Sequence, residues 1–194
     1  MTGMRILCFG DSNTYGYDPR SYFGGRYPAE HRWVDLLAQK TGHEVLNAGA
    51  NGREIPKRST EAYGLDVTVD LLVIMLGSND LLQGNDVTTV VSRMEVFLTQ
   101  LSSERERILL VAPPPMKLGA WVQQEHLITD SFELGEAYRR LAQKMGIHFA
   151  NAGAWDIDLT FDGIHFSEKG HRAFAVGLHQ TLIGFLTKEN KKES

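Results

Sequence analysis

The sequence predicts a three-layer α/β/α sandwich around a five-stranded parallel sheet. Three observations carry this. Short apolar runs alternate with stretches of helical periodicity along the chain, the order that builds βαβ units with helices on both faces of a sheet. The strongest run, Leu71-Leu72-Val73-Ile74-Met75-Leu76, has no polar side, as a central parallel strand covered on both faces requires. The 194 residues suffice for one domain with a sizeable core, expected over 1–187, with a polar tail over 188–194.

Each element has its own signal. Ile6 to Phe9 is the first strand. Val34, Leu36, Leu37 and Ala38 mark a helix that Thr41-Gly42 ends. Glu44 to Asn47 is a short second strand, and 71–76 is the third. Val87, Val90, Val91, Met94, Leu98 and Leu101 follow at helical spacing, with Asn85 and Asp86 ready to cap. Ile108 to Ala112 is a fourth strand, cut off by Pro113-Pro114-Pro115. Leu134 to Met145 reads as a helix stopped by Gly146, and Ile147 to Ala150 as a fifth strand. Ser167 is placed to cap a last helix with an apolar stripe of Phe174, Leu178, Leu182 and Phe185.

Composition excludes several classes of partner. The chain is 42% hydrophobic and 23% charged with a net charge of −4, so no basic stripe is available to neutralise nucleic-acid phosphates. No segment approaches the ~18 continuous apolar residues of a membrane helix. Met1 to Arg5 leads straight into the first strand rather than into a secretory h-region, so a cytoplasmic protein is expected. The single cysteine, Cys8, forms no internal disulfide and reads as a small core residue.

In parallel α/β sheets, ligands bind beyond the carboxyl ends of the strands. The chemically unusual residues of this chain follow those ends: Gly10-Asp11-Ser12-Asn13-Thr14, then Asn47-Ala48-Gly49-Ala50-Asn51-Gly52, then Gly77-Ser78-Asn79-Asp80, and, before the last helix, Asp162-Gly163-Ile164-His165. Each alone is also a good turn. In this order they resemble the four motif blocks of the SGNH hydrolases, the GDSL-type esterase and lipase superfamily, matched as Gly10-Asp11-Ser12, Gly49, Gly77-x-Asn79-Asp80 and Asp162-x-x-His165. The resemblance runs from residue 6 to about residue 185. Gly10 to Asp18, Arg32-Trp33, Asn47 to Gly52 and Val111 to Pro115 are similar to the arylesterase and acyltransferase branch. Asn13 stands where the family's name has leucine, a position that commonly varies. The resemblance implies a flavodoxin-like SGNH fold. An α/β-hydrolase elbow is set aside, because it needs Gly-x-Ser-x-Gly and position 14 is Thr.

Physical need then assigns roles. The Ser12 hydroxyl is inert at neutral pH without a base. His165 supplies one, since an imidazole titrates near pH 6.5, and Asp162 is placed to hold its second ring nitrogen. The oxyanion formed on attack needs fixed donors: the Gly49 N–H, the Asn79 carboxamide and, as the family implies, the Ser12 N–H. Asp11, adjacent to the nucleophile, reads as structural. Tyr15, Leu81, Leu82, Trp121 and Val122 are expected to line the pocket, and Tyr22 to Pro28 to shape it or to form a subunit contact in a homo-oligomer. The spacing of Asp162, His165 and His171 fits no metal site, and neither metal nor cofactor is expected.

The expectation is a serine esterase acting on small acyl groups, acetyl above all, because no lid or long apolar tunnel is evident. Acyl transfer to an alcohol, a carbohydrate ester and a thioester are alternatives on the same machinery. A non-catalytic binding module on a flavodoxin-like sheet is the rival of another class. Such a binder has no need of Asp162 and His165 beside a Ser and an Asn.

Overall fold

The computed structural model describes residues 3–58, 65 and 68–189, the side chains of 185–189 excepted. Its strands are β1 (Arg5–Gly10), β2 (Glu44–Gly49), β3 (Leu71–Met75), β4 (Ile108–Ala112) and β5 (His148–Asn151). All pair in parallel in the order β2-β1-β3-β4-β5. The principal helices are α1 (Ser12–Tyr15), α2 (Trp33–Thr41), α3 (Ser78–Leu82), α4 (Val87–Thr99), α5 (Glu125–Met145) and α6 (Glu168–Glu189).

The pleat sorts each strand into two faces. Leu7, Phe9, Leu72, Ile74, Ile108 and Leu110 point toward Val90, Met94, Phe97, Leu134 and Tyr138 of α4 and α5. Ile6, Cys8, Leu71, Val73, Leu109 and Val111 point toward Trp33, Val34, Leu37, Phe174, Leu178 and Leu182 of α2 and α6. Cys8 is a core residue of that second layer. The two apolar clusters are why the strands lack a polar side. The side chain of Phe185 and the tail from 190 on lie outside the described residues.

Two local expectations change. Asp86 caps α4, its Oδ1 accepting from the Thr89 N–H at 2.7 Å, but Asn85 instead donates to the Asp80 carbonyl at 2.8 Å. Helix α5 starts at Glu125, nine residues before the expected Leu134. Its first half packs through Leu127 and Ile128 and is also tied down by buried Ser131, whose Oγ accepts from the Met116 N–H at 2.9 Å, a polar residue that interrupts the apolar period between Leu127 and Leu134. Gly10 serves close packing. A Cβ there would lie 2.1 Å from Thr14 Oγ1, and one on its register partner Gly49 would lie 2.1 Å from the Tyr15 nitrogen. Two glycines side by side let the backbone of α1 rest directly on the ends of β1 and β2.

His171, in α6, is fully buried. Its Nδ1 accepts from the Trp33 N–H at 3.3 Å, and the rings of Tyr27 and Phe166 stand 5.1 and 5.4 Å away. Its Nε2 has no partner among the described residues. Burial, aided by the charges of Arg32 and His165, pushes its pKa down to about 3.

Two predictions follow from this packing. Gly49→Ala should cost about 1–3 kcal/mol of stability, as forced overpacking does; denaturant unfolding checks this, and an unchanged midpoint refutes the contact. His171 binds its proton more readily unfolded than folded between pH 6.5 and about 3, so its contribution is present above pH 6.5 and is lost as pH falls, at up to about 1.4 kcal/mol per unit. Asp11, with a carboxyl raised to about 6, works in the opposite sense between pH 6 and 4. The stability advantage of wild type over His171→Gln should therefore shrink on acidification in paired unfolding curves; a difference independent of pH contradicts the assignment.

Candidate active site

The sheet order reverses at β1, whose neighbours β2 and β3 lead their following loops apart. A crevice opens at such a point, at the carboxyl ends of the strands. The α1 turn enters it from β1, the 50–55 loop from β2 and α3 from β3. The 160–166 segment reaches it from the far end of the chain, threaded there by an isolated antiparallel bridge between Leu159 and Phe166.

Ser12, His165 and Asp162 meet in this crevice. Ser12 Oγ lies 3.0 Å from His165 Nε2 across 153 residues of chain. His165 Nδ1 lies 2.7 Å from Asp162 Oδ2. The carboxylate can only accept from the ring, so Nδ1 carries the proton and Nε2 is left with its lone pair toward the serine hydroxyl. Asp162 is fully buried, and its other oxygen accepts from the N–H groups of Ile164 (3.0 Å) and His165 (2.9 Å) and from Thr160 Oγ1 (2.9 Å). Burial acts to raise its pKa, but the His165 ring and these backbone donors outweigh it and hold the carboxyl at about 2. The acid is thus ionised throughout the neutral range. This line of groups can abstract a hydroxyl proton and stabilise the imidazolium that results.

A cleft of about 290 Å³ lies over Ser12 and His165, lined also by Tyr17, Asn51, Gly52, Asn79, Leu82, Trp121 and Ile164. The His165 ring is walled by Tyr17 (centroids 4.8 Å apart) and Trp121 (5.1 Å). Trp121 is 55% exposed and forms part of the rim. A larger groove of about 700 Å³ between α4 and α5, beside Val91, Phe132 and Arg140, holds none of these groups.

Several expected lining residues lie elsewhere. Tyr15 turns away and carries the Arg26 guanidinium on its ring at 4.4 Å. Leu81 and Val122 are buried in the core. Tyr22 and Phe23 are 94% and 93% exposed at the tip of a hairpin, and no residue of 22–28 lines the cleft. Sequence reasoning missed Tyr17, although the Tyr-x-Tyr spacing over 15–17 was there to weigh.

The donor set also changes. The Gly49 N–H is spent on Asn47 Oδ1 at 2.9 Å, and Gly49 does not line the cleft. Gly52 does. Its φ of +69° is a left-handed conformation that favours glycine, and its N–H has no acceptor among the described residues. The Asn51-Gly52 pair, a strong turn signal, pointed to it. Asn79 Nδ2 donates to the Arg53 carbonyl at 3.0 Å, which leaves its second N–H for the cleft. Asp80, fully buried, accepts from the Ile55 N–H at 3.0 Å and from Arg93 at 3.2 Å. Two neighbouring side chains of α3 thus hold the loop that carries Gly52. Arg53 stacks on the Phe9 ring at 4.1 Å and donates to the carbonyls of Gly10 and Ala48. Asp11 lies behind the site as the cap of α1, accepting from the Asn13 N–H at 2.9 Å. Burial pushes its carboxyl up to about 6, against the pull of that N–H and of the His165 and Arg53 charges.

No helix of the described residues is long and apolar enough to cross a membrane. No curated protein matches the chain. Solved structures do. An aryl esterase of M. smegmatis is 28% identical, with a TM-score of 0.78 over 94% of this chain and 100% of its own. Est24, a carbohydrate acetylesterase from Sinorhizobium meliloti, is 25% identical, with a TM-score of 0.77 over 93% of this chain and 99% of its own. A carbohydrate acetylesterase family member from the same organism is 27% identical, with a TM-score of 0.78 over 96% and 100%. The family model of the GDSL-like lipases and acylhydrolases matches residues 8–173, a span that opens in β1 and closes beyond His165, and the chain therefore belongs to that family, as an ester-hydrolysing enzyme of the SGNH superfamily.

Proposed function

We propose that the protein is a serine esterase for small-acyl, acetyl-type esters and that it works through an acyl-enzyme. The observation that carries this is the continuous line from Ser12 Oγ through His165 to Asp162, at 3.0 and 2.7 Å. The Ser12 proton passes to His165 Nε2 as Oγ attacks the ester carbonyl. The carbonyl π electrons move onto oxygen, where the N–H groups of Ser12, Gly52 and Asn79 receive the negative charge. Collapse expels the alcohol, which takes the proton from His165. Water then enters, gives its proton to the same nitrogen and releases the acid. An alcohol in place of water gives acyl transfer.

The size of the cleft favours small substrates. About 290 Å³ stands at the low end of ligand pockets and must take both acyl and alcohol parts. A carbohydrate ester is a second reading, favoured by the half-exposed face of Trp121 at the rim, since aromatic faces suit the apolar side of a ring. The two structural relatives described as carbohydrate acetylesterases support it. The buried, unpaired Cys8 suits a reducing, cytoplasmic compartment.

The decisive experiment compares wild type with Ser12→Ala on p-nitrophenyl acetate, butyrate and octanoate, on acetylated xylose, and with a fluorophosphonate probe. Wild type should label and should prefer acetyl esters; Ser12→Ala should do neither. Equal behaviour of the two proteins ends the esterase reading, and a preference for octanoate ends the small-acyl one. Asn79→Ala should lower kcat by about 10²–10³ with little change in KM. An unaltered kcat removes its carboxamide from the oxyanion site.

A further inference from the structure

The residue after the nucleophile has more to do than vary. Asn13 is 5% exposed, and its carboxamide is used at both ends. Nδ2 donates to the Ile164 carbonyl at 3.1 Å, and Oδ1 accepts from the Phe166 N–H at 2.8 Å. These two backbone groups flank His165 on either side. One side chain thus grips both peptide units next to the base, much as a strand partner does. Its own backbone is fixed in turn. The Asn13 N–H donates to Asp11 Oδ1 at 2.9 Å, and the Asn13 carbonyl accepts from Trp33 Nε1 at 3.0 Å.

The other bonds of the 160–166 segment do not reach the nucleophile. Asp162 binds Thr160, Ile164 and His165, all local. The Thr160 N–H goes to the His165 carbonyl, the Ser167 N–H to the Asp158 carbonyl, and the Lys117 and Trp121 N–H groups to the carbonyls of Gly163 and Asp162. Apart from the Ser12–His165 pair itself, the direct hydrogen bonds between α1 and the segment bearing His165 come, among the described residues, from Asn13; Tyr27 is an indirect link, its Oη donating to the Phe166 carbonyl at 3.3 Å and its N–H to the Gly16 carbonyl at 2.8 Å.

We propose that Asn13 is the positioning residue that sets the register of Ser12 against His165. This rests on the serine-esterase reading above. It acts through His165, touching neither substrate nor reacting atoms. A leucine of similar size fills the space but leaves the Ile164 carbonyl and the Phe166 N–H buried and unpaired, so the segment shifts to find partners. Displacement by about 1 Å at a reacting pair costs on the order of 10²-fold in rate.

The test measures Asn13→Leu and Asn13→Asp on p-nitrophenyl acetate, with sites counted by exhaustive fluorophosphonate labelling and turnover expressed per labelled site. Proton NMR follows the low-field resonance of the Nδ1 proton shared by His165 and Asp162. Asn13→Leu should lower kcat per labelled site by about 10–10² at a KM within about twofold, while the low-field resonance persists, because the Asp162–His165 turn is locally bonded. Asn13→Asp keeps the acceptor for Phe166 but sets a carboxylate oxygen against the Ile164 carbonyl; it too should lower kcat per labelled site, and it carries the same test if the leucine variant does not fold. The proposal is overturned if variants lose labelled sites or thermal stability while turnover per site stays at the wild-type value, if KM alone moves, or if the resonance vanishes with the activity. The last result makes Asn13 a prop of the turn rather than its link to the nucleophile. A wild type that neither labels nor turns over ends the esterase reading instead.

Discussion

The molecule depends on one pairing: β1 lies between β2 and β3, parallel to both. Parallel strands need crossovers, and helices supply those from β1 to β2, from β3 to β4 and from β4 to β5. With β1 at the reversal of strand order, the loops after β1, β2 and β3 diverge instead of stacking. Ser12, the Gly52 N–H and the Asn79 carboxamide come one from each of these loops. The same pairing puts Gly10 beside Gly49, so that a helix of a single turn sits directly on the sheet. A side chain at either glycine would lift Ser12 away from the strand ends that aim it.

Much of this was legible in the residues, for different reasons at different places. Strands β1, β3 and β4 show as apolar runs because both of their faces are buried, a signal that survives without any partner being known. Helix α4 shows because its buried Val90, Met94 and Leu98 repeat at helical spacing. The first half of α5 does not show, because it is held partly by a serine hydroxyl. Periodicity records burial of apolar groups, and a helix fixed by a polar bond escapes it.

The site divides in the same way. Residue types identify a hydroxyl, an imidazole, a carboxylate and an amide, since the chemistry admits few substitutes. Which glycine faces the cleft is a matter of register. Gly49 and Gly52 are three residues apart, and only the side chain of Asn47, which takes the Gly49 N–H, decides between them. Tyr15 and Tyr17 present the same difficulty, for α1 ends between them and sends one ring to Arg26 and the other to His165. Asn13 was hidden by its neighbours: beside Asp11 and Ser12, a polar residue in a turn looks like part of the turn.

Asp162 and His165 belong to one turn, whose carboxylate is held by the N–H groups of Ile164 and His165 and by the Thr160 hydroxyl. Ser12 lies 153 residues away in α1, so the pair exists only while that turn and α1 are seated together. Loosening the 160–166 segment would part the His165 ring from the Ser12 hydroxyl without uncovering either face of the sheet. The distance between these two side chains is therefore a gauge of how well that segment is seated on α1.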